Sequence, residues 1–291
     1  MSSNQQSVNT SPPSKYSLNC KGRLVHLSPS VVMGILNITP DSFFDGGKFT
    51  EESSILEKVR KLVIDGAQII DVGAASSRPG ASLVTEQEEE RRLLPAVKLI
   101  SKEFPDMILS IDTWRSGIAR KAIDNGAHII NDISAGAFDS NMFKTLAELK
   151  VPYIMMHLQG NIETMHQIVD YKNLMADLIH YFQEKIILLR AMGVHDIIID
   201  PGFGFSKSLN DNYSILKDLH QLHILNCPIL VGVSRKSMIN KVLHTDPSQA
   251  LNGTSILNTI ALMSGAEILR VHDVKEANEC ILLVNVLNGN L

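Results

Sequence analysis

Ile197-Ile198-Ile199-Asp200-Pro201-Gly202-Phe203-Gly204-Phe205 is the stretch that decides the fold. Three β-branched residues in a row predict a short strand buried on both faces, as in a parallel sheet covered by helices. A carboxylate follows at the strand's C-terminal end, where burial is costly unless a donor or ligand pairs with it. Pro201 ends the ladder, and Gly202 and Gly204 permit turns and close approaches that a Cβ would block. Taken alone, the motif also fits an ordinary turn with a capping aspartate. Its recurrence along the chain argues for more.

Working outward, strand-like and helix-like stretches alternate from Val31 on. Strands are expected at 31–36, 68–72, 107–111, 128–130, 153–156, 196–199, 229–232 and 268–270. Helices are expected at 51–65, 86–102, 115–124, 140–150, 171–192, 211–219, 248–264 and 274–287. In the first of these helices Ile55, Leu56, Val59, Leu62 and Val63 recur at helical spacing. Eight βα units with short connections predict an α/β chain of one (β/α)8 TIM barrel rather than an open doubly wound sheet. No glycine-rich dinucleotide fingerprint follows the first strand, which also argues against the open sheet. Residues 1–16 are rich in Ser, Asn, Gln and Pro and are read as a disordered tail. The barrel domain is assigned to 17–291, with a short hairpin at 18–27 turning at Lys21-Gly22.

The chain has 291 residues, 44% hydrophobic and 20% charged, enough for a barrel of this size. A net charge of -4 without a basic patch argues against nucleic acid as a partner. Three cysteines, Cys20, Cys227 and Cys280, lack metal-ligand spacing and suit a reducing compartment. No apolar run is long enough to span a bilayer and no leader pattern opens the chain, so a cytoplasmic location is expected.

In a TIM barrel the active site lies at the C-terminal face, on residues just after each strand. Polar groups stand there in every unit: Asn37, Asp71, Asp112, Asn131 with Asp132, His157, Asp200, Ser234-Arg235-Lys236, and Arg270 with His272-Asp273. A single such residue often caps a turn or helix. A complete ring of them predicts a site. Asp112, Asn131, Asp200 and Lys236 suit the edge of a flat, nitrogen-rich heterocycle, because carboxylates accept from ring N–H and amino groups. A structural ion pair of Lys236 with an aspartate is the competing reading. Asn37, Arg78, Arg270 and His272 form a second set. Arginine's planar fork suits phosphate oxygens, and a carboxamide oxygen suits Mg²⁺ held mainly by a diphosphate. The run Glu86 to Arg92 is read as a solvated helix face.

Several stretches also carry a family signature: MGILNITPDSFFDGG (33–47), DVGAASSRPGA (71–81), SIDT (110–113), GAHIINDISAG (126–136), MHLQG (156–160), IIIDPGFGF (197–205), VGVSRKSMI (231–239) and RVHDVKEA (270–277). In these the chain resembles the dihydropteroate synthase family of pterin-binding TIM barrels. The resemblance implies a transferase of folate biosynthesis. It would condense 6-hydroxymethyl-7,8-dihydropterin pyrophosphate with para-aminobenzoate, as a Mg²⁺-dependent homodimer and a sulfonamide target. By motif position, it implies that Asp112, Asn131, Asp200 and Lys236 bind the pterin. Asn37, Arg78, Arg270 and His272 would bind the diphosphate, with Asn37 on the metal. Ser77, Pro79, Phe205 and Ser234 would flank the aminobenzoate, and Asp112, Lys236, Arg270 and His272 would be catalytic.

Three positions depart from the family pattern. Ser77 stands where Thr is common, Ala74-Ala75 where Gly-Glu is common, and Leu158 where Met is common. None removes a charged site residue. Two other readings compete: a pterin-binding methyltransferase and a non-catalytic pterin-binding paralogue. The first does not need SSRPGA or the Arg270-x-His272 pair. The second is expected to have lost a cation or Asn37.

Overall fold

The computed structural model describes residues 16–38, 48–74, 84–165 and 167–289. Among them, eight parallel strands form the barrel: β3 (Val31–Asn37), β4 (Ile69–Gly73), β5 (Ile108–Asp112), β6 (Ile129–Asp132), β7 (Tyr153–Met156), β8 (Ile197–Asp200), β9 (Leu230–Val231) and β10 (Ile268–Val271). Each strand pairs with its sequence neighbour, and β10 returns to β3. The ring closes between β8 and β9 through one bridge, Ile199 to Ile229. The expected (β/α)8 barrel is therefore the fold, with the strands within a residue or two of their expected places.

Nine α-helices are described around it: α1 (Lys48–Ile64), α2 (Glu86–Glu103), α3 (Ser116–Asp124), α4 (Met142–Leu149), α5 (Leu174–Ala191), α6 (Leu209–Asp218), α7 (Ser237–Leu243), α8 (Leu251–Met263) and α9 (Val274–Leu287). Two features differ from expectation. α6 continues as a 3-10 helix over Leu219–Leu225, and α7 precedes α8 where one helix was expected. Two turns are too short to show helical periodicity, and α7 stops at His244 in the left-handed region before Pro247 opens another 3-10 turn. Among the described residues, no helix is long and apolar enough to cross a membrane.

Strand parity organises the interior, because alternate residues of a strand face opposite sides. Met33, Ile69, Ile108, Ile129, Ile154, Ile198, Leu230 and Ile268 meet inside the barrel in one apolar cluster. Their neighbours in the chain, such as Ile70, Leu109, Ile130, Ile199 and Leu269, pack outward against the helices. Burying each isoleucine contributes roughly 1.5–3 kcal/mol. Two residues further along the inward face the layer turns polar: Asp71, Ser110, Asn131, Asp200 and Arg270. Four residues further come Asp112, Ser234 and His272, and Asn37 stands at the same parity on β3. The barrel is thus oily at its floor and charged at its mouth.

A hairpin seals the floor. β1 (Ser17–Cys20) pairs antiparallel with β2 (Arg23–His26) through Lys21 and Gly22, both at positive φ as a two-residue turn requires. Leu18, Cys20 and Leu27 join the inner apolar cluster. Arg23 donates to the carbonyls of Pro105 and Asp106, and Lys21 Nζ to that of Ile123. Tyr16, assigned to the tail from sequence, belongs to this hairpin: its carbonyl accepts from Leu27 N–H and its side chain packs on the inner cluster. The rest of the expected tail lies outside the described residues.

Candidate active site

The polar layer converges on Arg270. Its Nε donates to Asp71 Oδ2 at 2.7 Å and its Nη2 to Asp112 Oδ2 at 2.9 Å. Asn131 Nδ2 donates to the same Asp71 oxygen at 3.0 Å. The guanidinium and carboxylates, expected as two separate sets, are one linked group. Burial raises the Asp112 carboxyl to about 7, partly offset by Arg270 and reinforced by the neighbouring Asp71 charge.

Asp200 ends β8 buried, and its Oδ1 accepts from Gly202 N–H at 2.7 Å. Burial raises its pKa, and the Lys236 charge opposes that shift. Lys236 Nζ donates to the Phe203 carbonyl and lies 5.2 Å from the centre of the Phe205 ring. Burial draws Lys236 down to about 8. The competing reading of Lys236 as an ion-pair partner is not what the side chain does: a backbone carbonyl of the loop after β8 receives it. Gly202 could not be another residue without strain. Its φ is +74°, and a Cβ there would meet the His157 carbonyl oxygen at 2.0 Å.

Ser234, at the end of the β9 segment, touches His272 twice. Its Oγ lies 3.1 Å from His272 Nδ1 and accepts from His272 N–H at 3.1 Å. Phe205 packs with Trp114, Ile133, Met156, Leu158 and Met165 in an apolar cluster beside the polar layer. Leu158, the departure from the family's common Met, is thus part of this apolar wall. Asn37 ends β3 in an exposed position in register with Gly73. Ser77, Arg78 and Pro79 lie outside the described residues, as does the loop after β3.

Three features were not assigned from sequence. Asp71 stood only as one strand-end residue of the ring, although its parity with Ile69 marks it as inward-facing. Lys207 lies buried behind the loop after β8. Its Nζ is 3.0 Å from His157 Nδ1 and donates to the carbonyls of His157, Gly202 and Phe205 at 3.1–3.2 Å. It therefore ties the β8 loop to the β7 loop, and burial lowers it to about 7. Glu89 corrects the reading of 86–92 as a solvated face. Its side chain is fully buried, receives Thr113 Oγ1 at 2.6 Å and pairs with Arg115. Arg115 also donates to the Val84 carbonyl at 2.7 Å, which anchors the far end of the segment after β4. Glu88 and Glu90 are paired at the surface, with Arg91, Arg92 and Lys121.

Eight parallel strands present linked acids, an amide and two cations at their C-terminal ends, the face where TIM-barrel enzymes carry their active sites. In agreement, the family described as "Pterin binding enzyme" matches residues 33–272. A dihydropteroate synthase of Escherichia coli K12 is 42% identical over 92% of this chain and 95% of its own length. The solved structure of the Yersinia pestis dihydropteroate synthase in a sulfonamide drug complex superposes with a TM-score of 0.88 at 39% identity, covering 94% of this chain and 100% of that one. The Xanthomonas albilineans dihydropteroate synthase with 4-aminobenzoic acid gives a TM-score of 0.87 at 34% identity, covering 94% and 98%. The chain belongs to the dihydropteroate synthase family of pterin-binding enzymes.

Proposed function

We propose that this transferase condenses 6-hydroxymethyl-7,8-dihydropterin pyrophosphate with para-aminobenzoate, giving 7,8-dihydropteroate and pyrophosphate in folate synthesis. The observation that carries this reading is the linkage at Arg270: one guanidinium bonds Asp112, an acid suited to the heterocycle, and Asp71 beside it, and just past the same strand His272 engages Ser234. A substrate with a pterin at one end and a diphosphate at the other would lie across that junction. Asp112, Asn131 and Asp200 would receive ring and amino N–H groups, and Lys236 would donate to an acceptor edge. Arg270 and His272, with Arg78, would hold the diphosphate. Phe205 and Ser234, with Ser77 and Pro79, would flank the aminobenzoate, and the same pocket would take sulfonamides.

In the reaction the C–O bond to the diphosphate breaks, and the diphosphate leaves with the electron pair. The aryl amine attacks the freed methylene carbon, forms the C–N bond and then loses a proton to water. An aryl amine is a weak nucleophile, so stabilising the leaving group matters most. At ~4 Å and an effective dielectric of about 20, each cation contact contributes roughly 4 kcal/mol before desolvation. Ionised Asp112 would favour positive charge on the pterin as the C–O bond lengthens.

Mg²⁺ is proposed to accompany the diphosphate. Among the described residues no group of three or more His, Cys, Asp or Glu could hold a metal ion. The Asn37 carboxamide at the rim suits a cation carried mostly by substrate oxygens and water. When bound, the ion would offset charge on the leaving diphosphate. The functional test is direct. The pterin diphosphate, para-aminobenzoate, Mg²⁺ and the protein are mixed, and dihydropteroate is sought by mass; its absence with folded protein would overturn the reading.

A homodimer in the cytoplasm is also proposed. Helices α8 and α9 pack side by side. They expose Ile256, Ile260, Met263, Leu282, Leu283 and Val286, a broad apolar surface for a water-facing position. A second copy burying this surface is the occupant expected from the family. Sedimentation of the wild-type chain should show a dimer, and Ile260→Glu should shift it to monomer. A wild-type monomer at micromolar concentration would contradict the proposal.

A further inference from the structure

Around the barrel, Arg270 on β10 and Asn131 on β6 are four strands apart, in the order β10, β3, β4, β5, β6. Asp71 on β4 stands midway. Its Oδ2 alone receives both, Arg270 Nε at 2.7 Å and Asn131 Nδ2 at 3.0 Å. Asp71 is fully buried, and among the described residues its Oδ1 has no hydrogen-bond partner. The carboxylate's contacts are therefore with other side chains of the inward polar layer.

The arrangement sets two orientations. A carboxylate paired with a guanidinium can only accept, so the atom of Asn131 facing it must be the NH₂ group. That turns Asn131 Oδ1 away from Asp71 as an acceptor. Arg270 has five N–H donors, and Asp71 and Asp112 fix its plane through Nε and Nη2. The Nη1 edge is thereby aimed by its neighbours before any anion arrives.

We propose that Asp71 is a positioning residue. It makes Asn131 present its oxygen to the pterin and holds the Arg270 fork in the plane that receives the diphosphate. The inference rests on the pterin reading above and deepens it. It also separates Asp71 from Asp112 and Asp200: Asp71 acts through other side chains and does not touch the substrate.

The test is a double-mutant cycle on binding of 6-hydroxymethyl-7,8-dihydropterin, which lacks the diphosphate, followed by calorimetry. Asp71→Leu keeps the volume and removes the acceptor, and should weaken binding about tenfold. Asn131→Ala should cost a similar factor, and Asp71→Leu added to Asn131→Ala should cost little more. Additive losses, roughly a hundredfold in the double variant, would overturn the proposal. Asp71→Asn retains one acceptor oxygen and should recover most of the pterin affinity while kcat stays depressed, because the charge beside Arg270 is gone. Should Asp71→Leu not fold, the same cycle with Asp71→Ala applies. For Asp71→Asn, a kcat equal to wild type would overturn the proposal. Failure of the wild-type protein to bind the pterin would take down the functional reading itself. Wild-type binding with an additive cycle would take down only the role of Asp71.

Discussion

Replacing Arg270 by alanine is expected to reduce turnover by roughly 10²–10³-fold, the range seen when one preorganised donor to developing charge is removed. Binding of the pterin without its diphosphate should change by less than tenfold, because Asp200 and Lys236 lie on other strands and Asn131 keeps its bond to Asp71. Equal losses in turnover and in that binding would contradict the assignment of Arg270 to the diphosphate. Stability should fall as well, by about 3 kcal/mol, since two inward carboxylates lose their shared cation. The pH dependence has a definite sign. Burial already holds Asp112 near 7, above its ordinary value of 3.8. Without Arg270 it rises further. A carboxyl whose folded pKa is raised binds a proton more readily folded than unfolded, so its contribution is lost as pH rises through the folded value. The variant should therefore be more damaged at pH 8 than at pH 5, as thermal melts at the two values would show.

Chelating Mg²⁺ should bring turnover to background and leave binding of the diphosphate-free pterin intact. The reason lies in what the rim offers. Asn37 supplies one neutral oxygen, and the described residues hold no carboxylate or imidazole cluster to keep a hard cation resident. The ion would then come and go with the diphosphate, and its affinity for the protein alone should be weak. Full activity in excess EDTA would remove the metal from the scheme. Tight Mg²⁺ binding without diphosphate would show that the rim, rather than the substrate, holds the ion.

Much of this site was legible in the chain because a barrel strand has a strict two-residue period. Once Ile69, Ile108, Ile129, Ile198 and Ile268 are placed inward, Asp71, Ser110, Asn131, Asp200 and Arg270 must follow on the same face. Strand ends therefore pointed to the ring without knowledge of the contacts. Parity alone does not say which members touch. The Arg270 to Asp71 bond joins residues 199 positions apart, and Glu89 finds Thr113 and Arg115 across two helices' ends. Glu89 looked solvated because its neighbours Glu88 and Glu90 are; one residue of a helix turn separates surface from interior. Lys207 was equally hidden, since a lysine two residues past a loop motif carries no signal that four backbone and side-chain acceptors surround it.

The seam between β8 and β9 bears on how such a ring works. A cylinder whose staves are joined by one rung at a single place yields there first. Here Asp200 stands on one lip and Lys236 on the other, clasped across the gap to the Phe203 carbonyl. That clasp holds the two lips together where the ladder itself supplies a single bridge, so Lys236→Ala should loosen the seam, read as faster amide exchange at Ile199 and Ile229.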